Sequence, residues 1–254
     1  MTLSTSEPNT AQLVLYQFAF SHFNEKVRWA LDWKGLDSNR RNLLPGFHAR
    51  TTKKLTGSAQ TPVLVIDDEA IAGSTAILHR LEALQPSPAL FSADPKTAEE
   101  IEQWIDWLDD EVGPAIRLGL FDELLADPKC AAAIFSVGHS GLKRMIYAVI
   151  FPRIIPVLRS RMSITAANAA QANKLTLEAL DRIADATEAT GYLVGDHFTA
   201  ADLTAASLFF PLSFPAQLPF SMPTRPSAAL AHWNARWQDH RAIAWTEEIF
   251  RKHR

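Results

Sequence analysis

The hydrophobic pattern of the chain changes once, near residue 85, and this change constrains the fold more than any other feature of the sequence. Before it, short apolar runs typical of buried strands alternate with amphipathic segments of helical period. The predicted order is β-α-β-α-β-β-α, with elements at 13–18, 24–34, 39–44, 48–55, 62–66, 70–72 and 74–84. An α/β domain of about 85 residues fits this order.

Beyond residue 96 the period is purely helical. Apolar residues recur at i, i+3, i+4, i+7 and i+11 from Ile101 to Val112, and an acidic run on the opposite face predicts a solvated side. Further helices are predicted at 115–126, 129–150, 154–161, 166–189, 200–210, 227–239 and 242–252. We therefore expect a disordered lead-in at 1–11, an α/β domain at 12–85, a Pro- and Ser-rich linker at 86–96 and an all-helical domain at 97–254.

Charge and cysteine content exclude several kinds of protein. The formal net charge is −3 and no basic run occurs, so we expect no nucleic-acid partner. Cys130 is the single cysteine, which excludes an intrachain disulfide and a C-x-x-C redox pair and fits a cytoplasmic protein. The eight histidines lack metal-ligand spacing, so we expect no metal site.

One apolar segment, at 142–158, has nearly the length of a membrane span. It contains Lys143, Arg144 and Arg153, and a spanning helix needs about 20 mostly apolar residues. Pro152 and Pro156 predict a break, since proline interrupts a helix interior. We therefore expect no stable membrane span but a pair of buried or substrate-facing helical pieces, with lipid contact at the surface as the weaker alternative.

Four motifs occur in order along the chain, at 21–31 (SHFNEKVRWAL), 55–64 (LTGSAQTPVL), 71–77 (IAGSTAI) and 195–202 (GDHFTAAD). Together, at these spacings, they resemble those of the cytosolic glutathione transferases, of serine type and similar to the bacterial members. The resemblance implies a thioredoxin-like N-terminal domain that binds glutathione as co-substrate, an all-helical C-terminal domain and a homodimer. In the fourth motif Thr199 and Asp202 also predict a helix capping box.

The second and third motifs imply a cradle for glutathione. In the family the bond before Pro62 is cis, which leaves the main chain of Thr61 free to pair with a peptide backbone. Ser74 begins a helix, and the resemblance implies that it and its following amide hold the γ-glutamyl carboxylate. Gly73 lies in the same site, although the family usually has an acidic or amide residue there. A plain N-cap is the structural alternative for Ser74.

The resemblance places basic groups for the glycyl carboxylate near residue 48. His48 is the preferred candidate, followed by Lys54 and its neighbour Lys53. A basic side chain suits an exposed carboxylate. The alternative for both lysines is a solvated positive loop.

The chemistry implied by the resemblance is ionisation of a thiol, whose ordinary pKa is about 8.5. Lowering it by two units takes about 2.7 kcal/mol, which one hydrogen bond at a helix N-terminus supplies. The candidate donors are Ser21 first, then Asn24, then Tyr16, with His22 able to reach the same pocket. Asn24 is alternatively an N-cap, and Tyr16 a packing residue.

A second, hydrophobic substrate is expected between the domains, against 101–122 and 142–158. An apolar pocket there is predicted from six residues: Trp104, Trp107, Phe121, Met145, Tyr147 and Phe151. The implied activity is conjugation of glutathione to a hydrophobic electrophile. The alternatives are a non-catalytic binding module on the same fold and a glutathione-dependent isomerase or lyase.

Overall fold

The computed structural model describes residues 12–221 and 227–254, so the predicted lead-in at 1–11 lies outside the described residues. Four strands form one sheet in the order β2-β1-β3-β4, with bounds β1 (Leu13–Gln17), β2 (Asn39–Asn42), β3 (Val63–Ile66) and β4 (Glu69–Ala72). β1 pairs with β2 in parallel and with β3 antiparallel, and β3 and β4 are antiparallel. Leu15 and Leu64 are register partners in the centre of the sheet, and both are fully buried.

Three helices complete this domain: α1 (His22–Trp33), α2 (Ala49–Thr56) and α3 (Ser74–Leu84). α1 and α3 pack against each other, and α2 contacts β4. Val27, Ala30 and Leu31 of α1 are fully buried, as their spacing predicts. The β-α-β-α-β-β-α order and the thioredoxin-like fold are confirmed.

The rest of the described chain is helical. Its helices are α4 (Pro95–Trp107), α5 (Gly113–Leu124), α6 (Pro128–Phe135), α7 (Gly141–Arg161), α8 (Ala166–Thr187), α9 (Ala200–Ser213), α10 (Ala228–Ala235) and α11 (Arg241–His253). α9 is the central helix: it packs against α1, α4, α5 and α11, and nearly all of its residues are buried. The predicted capping box is present, because Asp202 accepts from the Thr199 amide at 2.9 Å and the Thr199 hydroxyl accepts at the helix start. The predicted all-helical domain is thus confirmed.

Several element bounds differ from the prediction. α1 begins at His22 rather than at 24, because Ser21 is its N-cap. α4 begins inside the predicted linker, because Asp94 caps it and Pro95 occupies its first turn. A π-helical turn (Leu108–Val112) joins α4 to α5 without a break.

The predicted helix at 129–150 is wrong. It is two helices, α6 and α7, separated at 136–140, where Gly138 has a φ of +81°.

The prediction of two broken, buried pieces at 142–158 is also wrong, because α7 is one continuous helix that contains Pro152 and Pro156. Each proline removes one helical hydrogen bond. The carbonyls released at Ala148 and Pro152 belong to exposed residues, where solvent can replace the lost donors, and the helix continues. One face of α7 is exposed and apolar, with Leu142 63%, Met145 62% and Val149 67% exposed.

Among the helices of the described ranges, none has the length and apolar character that crossing a bilayer requires.

Candidate functional site

A cavity of about 740 Å³ lies where the α/β domain meets the helical domain. One wall comes from the loop after β1, the segment before β3 and the start of α3. The helical domain forms the rest of the lining, with residues of the π-helical turn, α5, α6, the end of α7 and α9. Predicted site residues that line it are Ser21, His22, His48, Thr61, Pro62, Gly73, Ser74 and Phe121.

Ser21 lies at the point where β1 gives way to α1. Its Oγ accepts a hydrogen bond from the Asn24 amide at 3.4 Å, so it caps the helix. Ser21 is the acceptor in this bond, so the hydrogen of its hydroxyl remains available to donate. The described ranges contain no acceptor for that hydrogen. A donor hydrogen at the positive end of a helix is suited to an anion in the cavity.

Asn24 and Tyr16, the other candidate donors, do not line the cavity. Asn24 is fully buried, and its Nδ2 donates to the Thr61 Oγ1 at 3.4 Å. Its expected alternative role as N-cap falls to Ser21 instead. Tyr16 lies within β1, with the Arg41 guanidinium 5.7 Å from its ring centre. Of the three ranked donors, Ser21 is therefore the one that lines the cavity, and His22 lines it as well.

The bond between Thr61 and Pro62 is cis, as the motif predicts. The Pro62 carbonyl accepts from the Gly73 amide at 3.2 Å, which holds the segment before β3 against the end of β4. The backbone N–H and C=O of Thr61 have no protein partner in the part of the chain that the structure describes. One edge of this segment is thus open toward the cavity.

Gly73 precedes α3 with φ +94° and ψ 135°. An added Cβ would meet nothing within 4 Å, so the constraint on this position is the backbone conformation and not space. The acidic or amide residue that the family usually has here would be strained in this conformation. The sequence departs from the family pattern where the backbone itself favours glycine.

We expect the Gly73→Ala substitution to lower the free energy of unfolding by about 1–3 kcal/mol, because a Cβ is disfavoured at this φ and ψ. Denaturant unfolding at equilibrium measures the change. Gly141→Ala is the matched control, since Gly141 has an ordinary φ and equally open space. It should change stability by less than about 0.5 kcal/mol. Equal effects of the two substitutions would contradict the argument.

His48 lines the cavity, but Lys54 does not. The His48 ring packs edge-on against Phe18, with ring centres 4.8 Å apart, and burial holds its pKa below the ordinary value. At neutral pH the imidazole is therefore neutral and offers a hydrogen bond rather than a charge. Lys53 and Lys54 are exposed on α2. Their exposure favours the solvated alternative, on a helix rather than in a loop.

Of the six residues predicted to form the second-substrate pocket, Phe121 alone lies on the cavity lining that the structure describes. The Arg182 guanidinium covers Trp104 and Trp107, at 4.6 and 4.1 Å from their ring centres. Tyr147 and Phe151 are buried in the core, and the Tyr147 hydroxyl donates to the Pro45 carbonyl at 3.1 Å. Met145 is exposed on α7. The apolar lining comes instead from residues that include Leu120, Phe135 and Leu158.

A buried polar cluster that the sequence patterns did not predict joins the two domains at the cavity. The Lys26 ammonium, fully buried in α1, donates to Asp109 Oδ2 at 2.8 Å and to Thr75 Oγ1 at 2.7 Å. The Thr75 hydroxyl donates to the same Asp109 oxygen at 2.6 Å. Asp109 Oδ1 is buried at the cavity lining without a described partner. Burial acts to lower the pKa of Lys26, and the Asp109 charge opposes that effect.

Asp109 was predicted to lie on a solvated acidic face, and this is wrong. The π-helical turn shifts the angular position of residues 108–112 from the one that an α-helical period gives. Arg117 on α5 was also missed. The burial of Lys26, which the structure shows, indicates an acidic partner, since a lysine is almost never fully buried unless paired.

A family model described as glutathione S-transferase, N-terminal domain, matches residues 15–89. The matched region contains Ser21, the cis bond before Pro62 and the start of α3, which together form one wall of the cavity. The N-terminal domain of this chain therefore matches the glutathione S-transferase family model, and the chain has the fold of solved glutathione S-transferases.

Several solved structures share the fold over nearly the whole chain. The β-etherase LigF from Sphingobium sp. strain SYK-6 is 21% identical, with a TM-score of 0.62 over 93% of this chain and 99% of that one. The theta class glutathione S-transferase from Xanthomonas axonopodis pv. citri, solved with glutathione bound, is 18% identical, with a TM-score of 0.58 over 92% and 95%. At these identities the likeness establishes the transferase fold.

A curated relative, the probable maleylacetoacetate isomerase 1 of Drosophila melanogaster, is 28% identical over 141 residues. The match covers 52% of this chain and 57% of that relative, so it spans little more than half of either protein.

Proposed function

We propose that this protein binds glutathione in the interdomain cavity, stabilises its thiolate with Ser21 and conjugates it to a hydrophobic electrophile. One observation carries the proposal. The Ser21 hydroxyl, whose hydrogen is left without a described acceptor, lines the same cavity as the open backbone of Thr61 and the start of α3. Glutathione supplies the nucleophilic sulfur when bound.

The open backbone of Thr61 fits the cysteinyl part of a γ-glutamyl tripeptide. The N–H and C=O of Thr61 have no partner within the described ranges. A cis bond joins Thr61 to Pro62 just before β3. An extended peptide pairs with such an edge through two main-chain hydrogen bonds, as in β-strand addition. The pairing would bring a cysteine side chain close to the start of α1, where Ser21 lies.

The start of α3 and Asp109 fit the two charges of a γ-glutamyl group. The first helical hydrogen bond of α3 joins the Ile77 amide to the Gly73 carbonyl, which leaves the amides of Ser74, Thr75 and Ala76 free for a carboxylate. Thr75 also contacts Asp109, whose Oδ1 has no described partner and can accept from an ammonium. A carboxylate site and an ammonium site therefore lie side by side, and neutral His48 remains as the donor to the glycyl carboxylate.

A second activity, isomerisation that uses glutathione catalytically, is favoured by the similarity to the Drosophila relative, a probable maleylacetoacetate isomerase. Both activities use the same thiolate. They differ in that conjugation consumes one thiol for each product, whereas isomerisation returns it. The proposal further includes a cytoplasmic homodimer with a role in detoxification, as the family resemblance implies.

Calorimetric titration with glutathione, followed by turnover assays in which free thiol is measured, tests this proposal. We expect saturable binding, and loss of one thiol per product with an activated aryl chloride. Isomerisation of a cis-configured unsaturated ketone at constant thiol would favour the second activity instead. A protein that does not bind glutathione would contradict both activities, and binding without turnover on any substrate would indicate a non-catalytic module.

A further inference from the structure

Arg117 is a cation on the cavity lining with no counter-ion among the described residues. It lies on α5, in the part of the lining that the helical domain forms. Its Nε is buried without a hydrogen-bond partner, and no carboxylate of the described chain lies within ion-pair distance. The aromatic ring of Phe23 is its neighbour, with the guanidinium carbon 5.7 Å from the ring centre.

The buried cations Lys26, Arg28 and Lys34 of the α/β domain, in contrast, are paired. Lys26 contacts Asp109 at 2.8 Å, and Arg28 contacts Glu25 at 2.6 Å. Lys34 contacts Glu82 at 2.6 Å. Burial alone lowers the pKa of Arg117, with no opposing contribution from an acidic group. An unpaired charge removed from water is unfavourable, so a chain that keeps one at a cavity wall fits a ligand that supplies the partner.

The charged groups around Arg117 leave this part of the cavity positive. His22 faces it, and burial together with the Arg117 charge lowers its pKa to about 3, so its imidazole is neutral at working pH. Asp109, the acidic residue on the cavity lining, is already paired with Lys26. Arg161, exposed at the end of α7, adds a second cation to the lining.

The rest of this wall is apolar, with Leu120, Phe121 and Phe135 beside Arg117. An occupant that matches the wall has an apolar body and one anionic end. The guanidinium fork binds a carboxylate with two parallel hydrogen bonds, which a neutral ester or amide cannot reproduce.

We propose that Arg117 binds a carboxylate of the second substrate, so that the electrophile is an apolar acid and not a neutral hydrophobe. The inference deepens the proposed function and rests on it for the position of the thiol. Glutathione has carboxylates of its own, but the free amides of α3 and His48 that suit them belong to the α/β domain, whereas Arg117 belongs to the helical domain. The test therefore separates these two sources of carboxylate.

Calorimetric titration with two product analogues, S-benzylglutathione and S-(4-carboxybenzyl)glutathione, tests the proposal without requiring turnover. We expect the parent to bind the carboxylated analogue about 10- to 100-fold more tightly, the range for a hydrogen bond to a charged group. The Arg117→Gln variant should lose this preference and bind S-benzylglutathione as the parent does. Arg117→Lys should retain part of the preference, because it keeps the charge but not the fork.

Arg144→Gln is the matched control, since it removes an exposed arginine of α7 that does not line the cavity. It should leave both affinities unchanged. A parent without preference would overturn the proposal. An Arg117→Gln variant that loses both analogues equally would also overturn it, because Arg117 would then contact the glutathione part or the fold.

If the parent binds neither analogue, the proposed function is wrong. A second titration then decides whether Arg117 binds a carboxylate. Titration with 4-ethylbenzoate, against 4-ethyl-N-methylbenzamide, then gives the answer. Binding of the acid alone, lost in Arg117→Gln and kept in Arg144→Gln, would sustain the carboxylate site. Equal behaviour of acid and amide would overturn it.

Discussion

The Asp109→Ala substitution should lower the free energy of unfolding by about 3–5 kcal/mol, which is the range for removing one partner of a buried ion pair. The Lys26 ammonium is fully buried, and its charge is balanced by Asp109 Oδ2 at 2.8 Å. Without that carboxylate, the ammonium loses its counter-charge and the Thr75 hydroxyl loses its acceptor. Denaturant unfolding at neutral pH measures the effect.

The control is a pair of similar chemistry at the surface. Arg159 and Asp122 are 3.1 Å apart, with both side chains about one-third exposed, so Asp122→Ala should cost less than about 1 kcal/mol. A Lys26→Met, Asp109→Leu double variant should recover part of the loss, since it leaves no unpaired charge. If Asp109→Ala is as mild as Asp122→Ala, the cluster does not hold the two domains together.

The Ser21→Ala substitution should lower kcat/KM for conjugation by about 10- to 100-fold. The hydroxyl would donate to a thiolate, and a hydrogen bond to a charged group contributes about 1.5–3 kcal/mol, or roughly tenfold for each 1.36 kcal/mol. Ser21→Thr keeps a hydroxyl and should retain most of the activity. Steady-state kinetics with glutathione and the activated aryl chloride measure both variants.

Ser21 also caps α1, so its loss costs about 1 kcal/mol of stability by itself. Thr165→Ala removes an equivalent cap from α8, where Thr165 Oγ1 accepts from the Asn168 amide at 3.2 Å, away from the cavity. It should lower stability by a similar amount and leave kcat/KM unchanged. Tyr16→Phe should also leave kcat/KM unchanged, because Tyr16 lies outside the cavity lining. Equal losses of activity in Ser21→Ala and Thr165→Ala would show that Ser21 acts only through the fold.

Local sequence could predict the features of this protein that depend only on residues close together along the chain. Alternating strand and helix periods predicted the order of the α/β domain, and the T-x-x-D pattern predicted the cap at Thr199. Ser21 was the first candidate donor, and the structure places it on the cavity lining as the cap of α1.

The parts that local sequence could not predict depend on contacts between distant segments. A helical period placed Asp109 on a solvated face, whereas the π-helical turn turns it toward Lys26, 83 residues away along the chain. Proline ends most helices, but α7 contains two. They are tolerated because the released carbonyls belong to exposed residues that water can reach. The position of Arg117 follows from the packing of α5 against the first domain, which no local pattern encodes.

The most direct test of the central claim is an ultraviolet absorbance titration of the thiolate in the complex of the parent protein with glutathione, followed across pH. The cavity geometry predicts that the bound thiol ionises about one to two units below its ordinary pKa of about 8.5, and that Ser21→Ala binds glutathione but returns the pKa toward that value. A parent protein that binds glutathione with an unshifted thiol pKa, or a Ser21→Ala variant that keeps the full shift, would contradict it.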